Sequence, residues 1–148
     1  MEAQPDFKEL FALLNRHKAE FIIVGAYALA YHGIPRNTGD IDVYVRPTAL
    51  NARRVLAALG DFGFKALGLT EADFQRPGNI IQLGVPPVRV DFLTALSGVT
   101  WKESDQGKAA GNYGGVKVHY LGRAQLVANK RKTARKKDLA DLEALGEG

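Results

Sequence analysis

The strongest constraint on the fold is a change of pattern at Gly25. Phe21 to Val24 is an unbroken apolar run of strand length, and Ala26 to Tyr31, just beyond the glycine, is rich in alanine and leucine with no breaker before Gly33. A run that short, closed by glycine, reads as a buried strand, and the alanine-rich stretch reads as a helix. A strand that turns into a helix through one glycine leaves the first N–H groups of the helix exposed. Those groups and the helix dipole favour a phosphate. An ordinary strand-to-helix connection is the plainer alternative.

Asp6 to Lys18 carries Phe7, Leu10, Phe11 and Leu14 at helical spacing, with Pro5 as an opener. Ile34 to Gly39 is a loop by its Pro35, Asn37 and Gly39, and Ile41 to Val45 alternates like a strand. Thr48 is suited to cap a helix over Ala49 to Leu59, which Gly60 and Gly63 would stop. Strands are predicted at Asn79 to Leu83 and Val88 to Leu93, joined as an antiparallel hairpin through Pro86-Pro87. Trp101 to Gly115, glycine-rich and polar, gives the weakest pattern in the chain. A strand at Val116 to Tyr120 and helices at Arg123 to Arg131 and Lys136 to Leu145 follow. The prediction is an α+β fold, a small mixed β-sheet flanked by helices. With 148 residues, 46% of them hydrophobic, it should form one domain over 1–148.

Without cysteine, the chain has neither a disulfide framework nor a thiolate zinc site. Met1 to Lys8 has two acids and a proline where an export signal has a basic stretch leading into an apolar run. The longest apolar stretches fall far short of the ~20 residues that cross a bilayer. The expectation is a cytoplasmic protein with no membrane association. A net charge of +4 merely tolerates an anionic partner, but its distribution says more. Arg123 to Lys137 holds seven Lys or Arg residues and no acid, which is either an anion-attracting surface or the solvated face of a terminal helix.

Asp40-Ile41-Asp42 sets two acids one residue apart at the start of a strand, so both carboxylates project from one sheet face, roughly 7 Å apart at the backbone. Carboxylates so placed repel unless a cation sits between them, and hard oxygen donors suit Mg²⁺ or Mn²⁺. Asp91, inside the apolar Val90-Asp91-Phe92-Leu93, is a third acid where an unpaired carboxylate is expensive. If its strand neighbours Ile41 to Val45 with Asp91 on the same face, the three converge into a set able to hold two metals about 3.5–4 Å apart. The alternatives are solvent-facing roles for Asp40 and Asp42, and for Asp91 a bond to Arg89 or a loop amide.

Val24-Gly25-Ala26, thirteen further residues, then Asp40-Ile41-Asp42-Val43 resembles the signature of the nucleotidyltransferase superfamily related to DNA polymerase β. More narrowly, Gly25-Ala26-Tyr27-Ala28-Leu29, His32-Gly33 and Arg36-Asn37-Thr38 look like the bacterial branch that includes AbiEii-type toxins. Asn129-Lys130, Arg135 and Lys137-Asp138-Leu139-Ala140-Asp141-Leu142 are similar to that branch's tail. The resemblance implies a minimal nucleotidyltransferase fold with C-terminal helices and transfer of a nucleoside monophosphate from a nucleoside triphosphate to a hydroxyl. It implies Asp40, Asp42 and Asp91 as catalytic metal ligands, with Mg²⁺ or Mn²⁺ as cofactor. It also implies Gly25, Ala26, Arg36, Thr38 and Lys130 as nucleotide-binding residues. Ala26 departs from the family's Gly or Ser and lacks a hydroxyl contact to phosphate, so a weak or inactive protein that only binds nucleotide, nucleic acid or a partner is the rival reading. RNA held through Arg123–Lys137, a protein hydroxyl, and a cognate partner in a toxin–antitoxin pair are the partners it suggests. For Arg36 the plainer alternative is an ion pair with Asp40 or Asp42, and for Lys130 a solvated helix position. For Asp138 it is a helix cap, for Lys137 and Asp141 a surface ion pair, and for His32 a packing role.

Overall fold

The computed structural model describes residues 3–36, 38–85 and 87–148. The chain runs α1 (Pro5–Arg16), β1 (Phe21–Val24), α2 (Gly25–Tyr31), β2 (Asp40–Val45), α3 (Ala49–Leu59), β3 (Ile80–Leu83) and β4 (Arg89–Leu93). It continues through α4 (Trp101–Gly107), β5 (Ala109–Tyr113), β6 (Val116–Tyr120), α5 (Arg123–Thr133) and α6 (Lys136–Ala144). The strands form one mixed sheet in the order β3-β4-β2-β1-β6-β5. β2 runs antiparallel to β1 and parallel to β4, β1 is parallel to β6, and β3-β4 and β5-β6 are antiparallel pairs.

β1 is apolar throughout because both its faces are covered. Phe21 and Ile23 join the larger core with Phe7, Leu10, Phe11 and Leu14 of α1 and Ala52 and Val55 of α3. Ile22 and Val24 point the other way, against Ala28, Leu29, Leu121 and Leu126. The Phe11 and Phe21 rings stack with centroids 5.6 Å apart. Each such side chain contributes about 1.5–3 kcal/mol by burial, so α1 is held by its stripe of four apolar residues rather than by helix propensity. The result is an α+β arrangement of a mixed sheet with helices on both faces, as the sequence predicts. Among the described residues no helix is long and apolar enough to cross a membrane.

Two stretches depart from the expected pattern. α3 does not stop at Gly60, which keeps right-handed helical angles; the chain continues as a π turn over Gly60–Phe64 and breaks at Gly63, whose φ is +110°. Phe62 and Phe64 pack against the larger core, which rewards the extra turn. Trp101 to Gly115 contains both α4 and β5. Thr100 and Glu103 close a capping box on α4, a Thr-x-x-Glu signal present in the sequence. Gly111 lies in β5 because an added Cβ would come within 2.9 Å of the Tyr31 and Tyr120 rings, so here a glycine marks close packing rather than a loop. Asn37 of the predicted loop and Pro86 of the predicted hairpin turn lie outside the described residues.

Asn51, only 1% exposed, ties the start of β1 to the end of β2. Its Oδ1 accepts from Glu20 N at 2.7 Å, and its Nδ2 donates to Glu20 O at 2.9 Å and Arg46 O at 3.0 Å. Asn51→Ala leaves the Glu20 N–H without its acceptor, takes one of two donors from Glu20 O and Arg46 O, and should lower stability by about 1–3 kcal/mol in urea titration. A loss under about 0.5 kcal/mol would show that water satisfies them equally well.

Candidate active site

Alternation along two strands sets the chemistry of one sheet face. Ile41, Val43 and Val45 of β2 and Val90 and Phe92 of β4 enter the larger core, so Asp40 and Asp42, like Arg89 and Asp91, occupy the opposite face. The parallel register of β2 and β4 then matches Asp40 with Arg89 and Asp42 with Asp91. One pair joins opposite charges and the other joins like charges. Gln82 of β3 lies across from Asp91 on the far side.

Arg89 compensates the first three charges of this patch unevenly. Its Nε and Nη2 donate to the two carboxylate oxygens of Asp91 at 3.0 and 3.2 Å, and Nη2 lies 3.5 Å from Asp40 Oδ2. The Thr38 hydroxyl accepts from the Asp40 backbone N–H at 3.1 Å and fixes the start of β2. Asp42 makes no ion pair among the described residues. Burial, then the charges of Asp91 and Asp40, push its carboxyl up to about 6, against the opposing charges of Lys137 and Arg89. Among the described residues, no three His, Asp or Glu side chains are gathered into a ready cation shell. The acids share a face and a register, with the Arg89 guanidinium bridging two of them.

Gly25 is required beside this patch on two grounds. Its φ is +64°, a left-handed angle that side chains resist, and a Cβ there would lie 2.2 Å from Asp42 Oδ2. The turn into α2 therefore brings the backbone of Gly25 against Asp42. A cleft of about 810 Å³ spans the site, within the usual size of small-molecule sites. Gly25, Ala26, Arg36, Thr38 and the three acids line one part of it, and Lys130, Arg135, Lys137 and Asp141 of the C-terminal helices line another.

That second wall is an ion network absent from the sequence expectations. Lys130 is 8% exposed rather than solvated, with Nζ 3.0 Å from Asp141 Oδ2 and 3.4 Å from Asp138 Oδ1. Arg36 pairs with Asp141, not with Asp40 or Asp42, and Arg135 Nε lies 2.8 Å from Asp138 Oδ2. Asp138 is the third residue of α6 and accepts from Arg135 N at 3.0 Å, capping the helix from inside it. Asp141 turns inward, so the expected surface pair with Lys137 does not form. Burial pushes the Asp138 carboxyl up, but the Arg135 hydrogen bonds and the Lys130 charge outweigh it and hold it well below the usual carboxylate range. Arg123 and Arg131 pair with Glu147, so four of the seven cations between Arg123 and Lys137 are already matched by acids. His32 Nε2 meets Leu121 O at 2.8 Å, a packing role.

Sequence reasoning put Arg89 only in an alternative to metal binding, although Arg-x-Asp on a strand places both side chains on one face. It also missed the inward role of Asp138 and Asp141, whose i,i+3 spacing was the available signal.

No family model matches the chain, and no curated protein sequence matches it. A crystal structure from Thermotoga maritima, provisionally named a nucleotidyltransferase, superposes with a TM-score of 0.64 over 99% of this chain and 96% of that one, at 15% identity. The two proteins share a fold over nearly their whole length.

Two stability measurements follow from this geometry. An acid whose pKa is raised by folding penalises the folded state above that raised value and not below its unfolded value of ~3.9. Asp42→Asn should therefore be more stable than the parent by about 1–3 kcal/mol at pH 8, with the gain fading as pH falls from about 6 towards 4. Equal stability at pH 8 would show that Asp42 ionises freely. Lys130→Met leaves Asp141 with Arg36 alone and Asp138 with Arg135 alone, and should cost about 1–3 kcal/mol at neutral pH. Because Asp138 is depressed, its contribution is present above about pH 4 and is lost as pH falls further. A loss from Lys130→Met that stays constant down to pH 2 would contradict the network.

Proposed function

We propose that the chain is a Mg²⁺-dependent nucleotidyltransferase that moves a nucleoside monophosphate from a nucleoside triphosphate to a hydroxyl acceptor. The observation that carries this reading is the cross-strand Asp42–Asp91 pair, with Asp40 beside it, against a glycine turn at the head of a helix. A phosphate site next to uncompensated negative charge makes chemical sense only with a cation between them. The donor set fits Mg²⁺ or Mn²⁺, and the raised Asp42 carboxyl marks where positive charge is wanted. Asp40, Asp42 and Asp91 would hold it. When bound, the ion neutralises the triphosphate and polarises the reacting phosphorus.

The chain's own groups supply the rest. Gly25 and Ala26 offer backbone N–H groups to a phosphate. Thr38 steadies Asp40, and Arg36 and Lys130 add positive potential along the cleft. Asp91, oriented by Arg89, takes the proton of the attacking hydroxyl. The acceptor oxygen bonds to the α-phosphorus, the bond from that phosphorus to the bridging oxygen breaks, and pyrophosphate leaves. The acceptor is an RNA end or a protein hydroxyl, and the resemblance to AbiEii-type toxins extends the proposal to one member of a toxin–antitoxin pair with a cognate partner. A second reading, a binding protein without turnover, draws on Ala26, which has no hydroxyl for phosphate, and on the hold of Arg89 over two of the acids.

Calorimetry with ATP should show binding that is much stronger with Mg²⁺ than without it. Asp40→Asn and Asp42→Asn should each abolish the Mg²⁺-dependent part. If either variant keeps it, those carboxylates are not the ligands.

A further inference from the structure

Arg36, Lys130, Arg135 and Lys137 are the cations that line the cleft among the described residues. A cation recruits a new anion in proportion to the charge it has left uncompensated. Lys130 is committed to Asp138 and Asp141, Arg36 to Asp141, and Arg135 to Asp138. Moving any of them onto a ligand would take from a buried carboxylate one of the two cations that hold it, at a cost in stability. Lys137 differs. Among the described residues it has no carboxylate partner, because Asp141, one helical turn along the same face of α6, is already taken by Lys130 and Arg36.

We infer that Lys137 is the side chain that binds the phosphate chain of the triphosphate, while Arg36, Lys130 and Arg135 hold the cleft wall that carries it. The inference rests on the nucleotidyltransferase reading and narrows its charge-neutralising role to one residue. Lys137 lines the same cleft as Asp40, Asp42 and Asp91, so its ammonium can meet a phosphate chain held there. A lysine ammonium is a compact point charge on a flexible stem, able to follow a phosphate chain from ground state to departing pyrophosphate. The network fixes the stem's base: Asp138 and Asp141 follow Lys137 on α6, and both are locked to α5 or the α2-β2 loop.

The test uses the full chain with Lys137→Met, which keeps the stem, Lys137→Arg, which keeps the charge, and Lys136→Met as the neighbouring control. The probes are Mg²⁺ with ATP, followed by calorimetry, and Mn²⁺ alone, followed by paramagnetic resonance. Lys137→Met should weaken ATP binding roughly ten- to a hundredfold and leave Mn²⁺ affinity the same or tighter, since a cation near the acids has been removed. Lys137→Arg should recover most of the loss, and Lys136→Met should bind like the parent. Unchanged ATP affinity in Lys137→Met overturns the inference and leaves the enzyme reading standing. An equal loss in Lys136→Met reduces the effect to diffuse surface charge, and a loss of Mn²⁺ binding in Lys137→Met reduces it to a structural one; either result overturns the inference. A parent that binds no ATP with Mg²⁺ overturns the underlying reading as well.

Discussion

The in-register parallel pairing of β2 with β4 sets Asp42 against Asp91 and Asp40 against Arg89, and the rest of the site is arranged around the charge this creates. Hydrophobic burial enforces the register. Ile41, Val43, Val90 and Phe92 must all enter the larger core, and a slip of one residue would turn them out and the acids in. The same apolar residues that hold the sheet together thus oblige the carboxylates to share a face. Gly25 completes the constraint, since any side chain at that position would collide with Asp42.

Charge is compensated differently on the two walls of the cleft. On the C-terminal wall, Lys130, Arg36 and Arg135 share Asp138 and Asp141, so that each of these cations has a carboxylate partner. On the sheet, Arg89 serves Asp91 and Asp40 and leaves Asp42 with its carboxyl pushed up to about 6. The first arrangement stabilises the fold, whereas the second gives up stability at a place where a cation would restore it. A protein selected only to fold would replace Asp42 with a neutral residue, and strain of this kind is a mark of functional sites.

Much of this was legible in the sequence, for physical reasons that differ by element. β1, α2 and the start of β2 were readable because burial on both faces, a positive-φ glycine and residue alternation leave local traces. The shared face of Asp40 and Asp42 followed from strand period alone; that Asp91 joins them depended on which strands pair, which no local signal encodes. α4 and β5 were obscured because Gly107 and Gly111 serve close packing, against Gln125 in one case and tyrosine rings in the other, while resembling loop glycines. The basic run from Arg123 to Lys137 looked like free charge because its partners, Asp138, Asp141 and Glu147, come later in the chain and reach it only through tertiary packing.

Whether this face of the sheet transfers a nucleotidyl group, as proposed, is decided by the position of the label in a transfer assay. The purified chain, with Mg²⁺ and each of the four nucleoside triphosphates, is incubated with RNA and protein extracts, using label on the α-phosphate in one series and on the γ-phosphate in the other. α-Label should become attached to an acceptor with at least one nucleotide, γ-label should be released as pyrophosphate, and Asp42→Asn should abolish both. Attachment of γ-label instead, or no transfer of α-label from any of the four by a parent that binds them, would contradict the proposal.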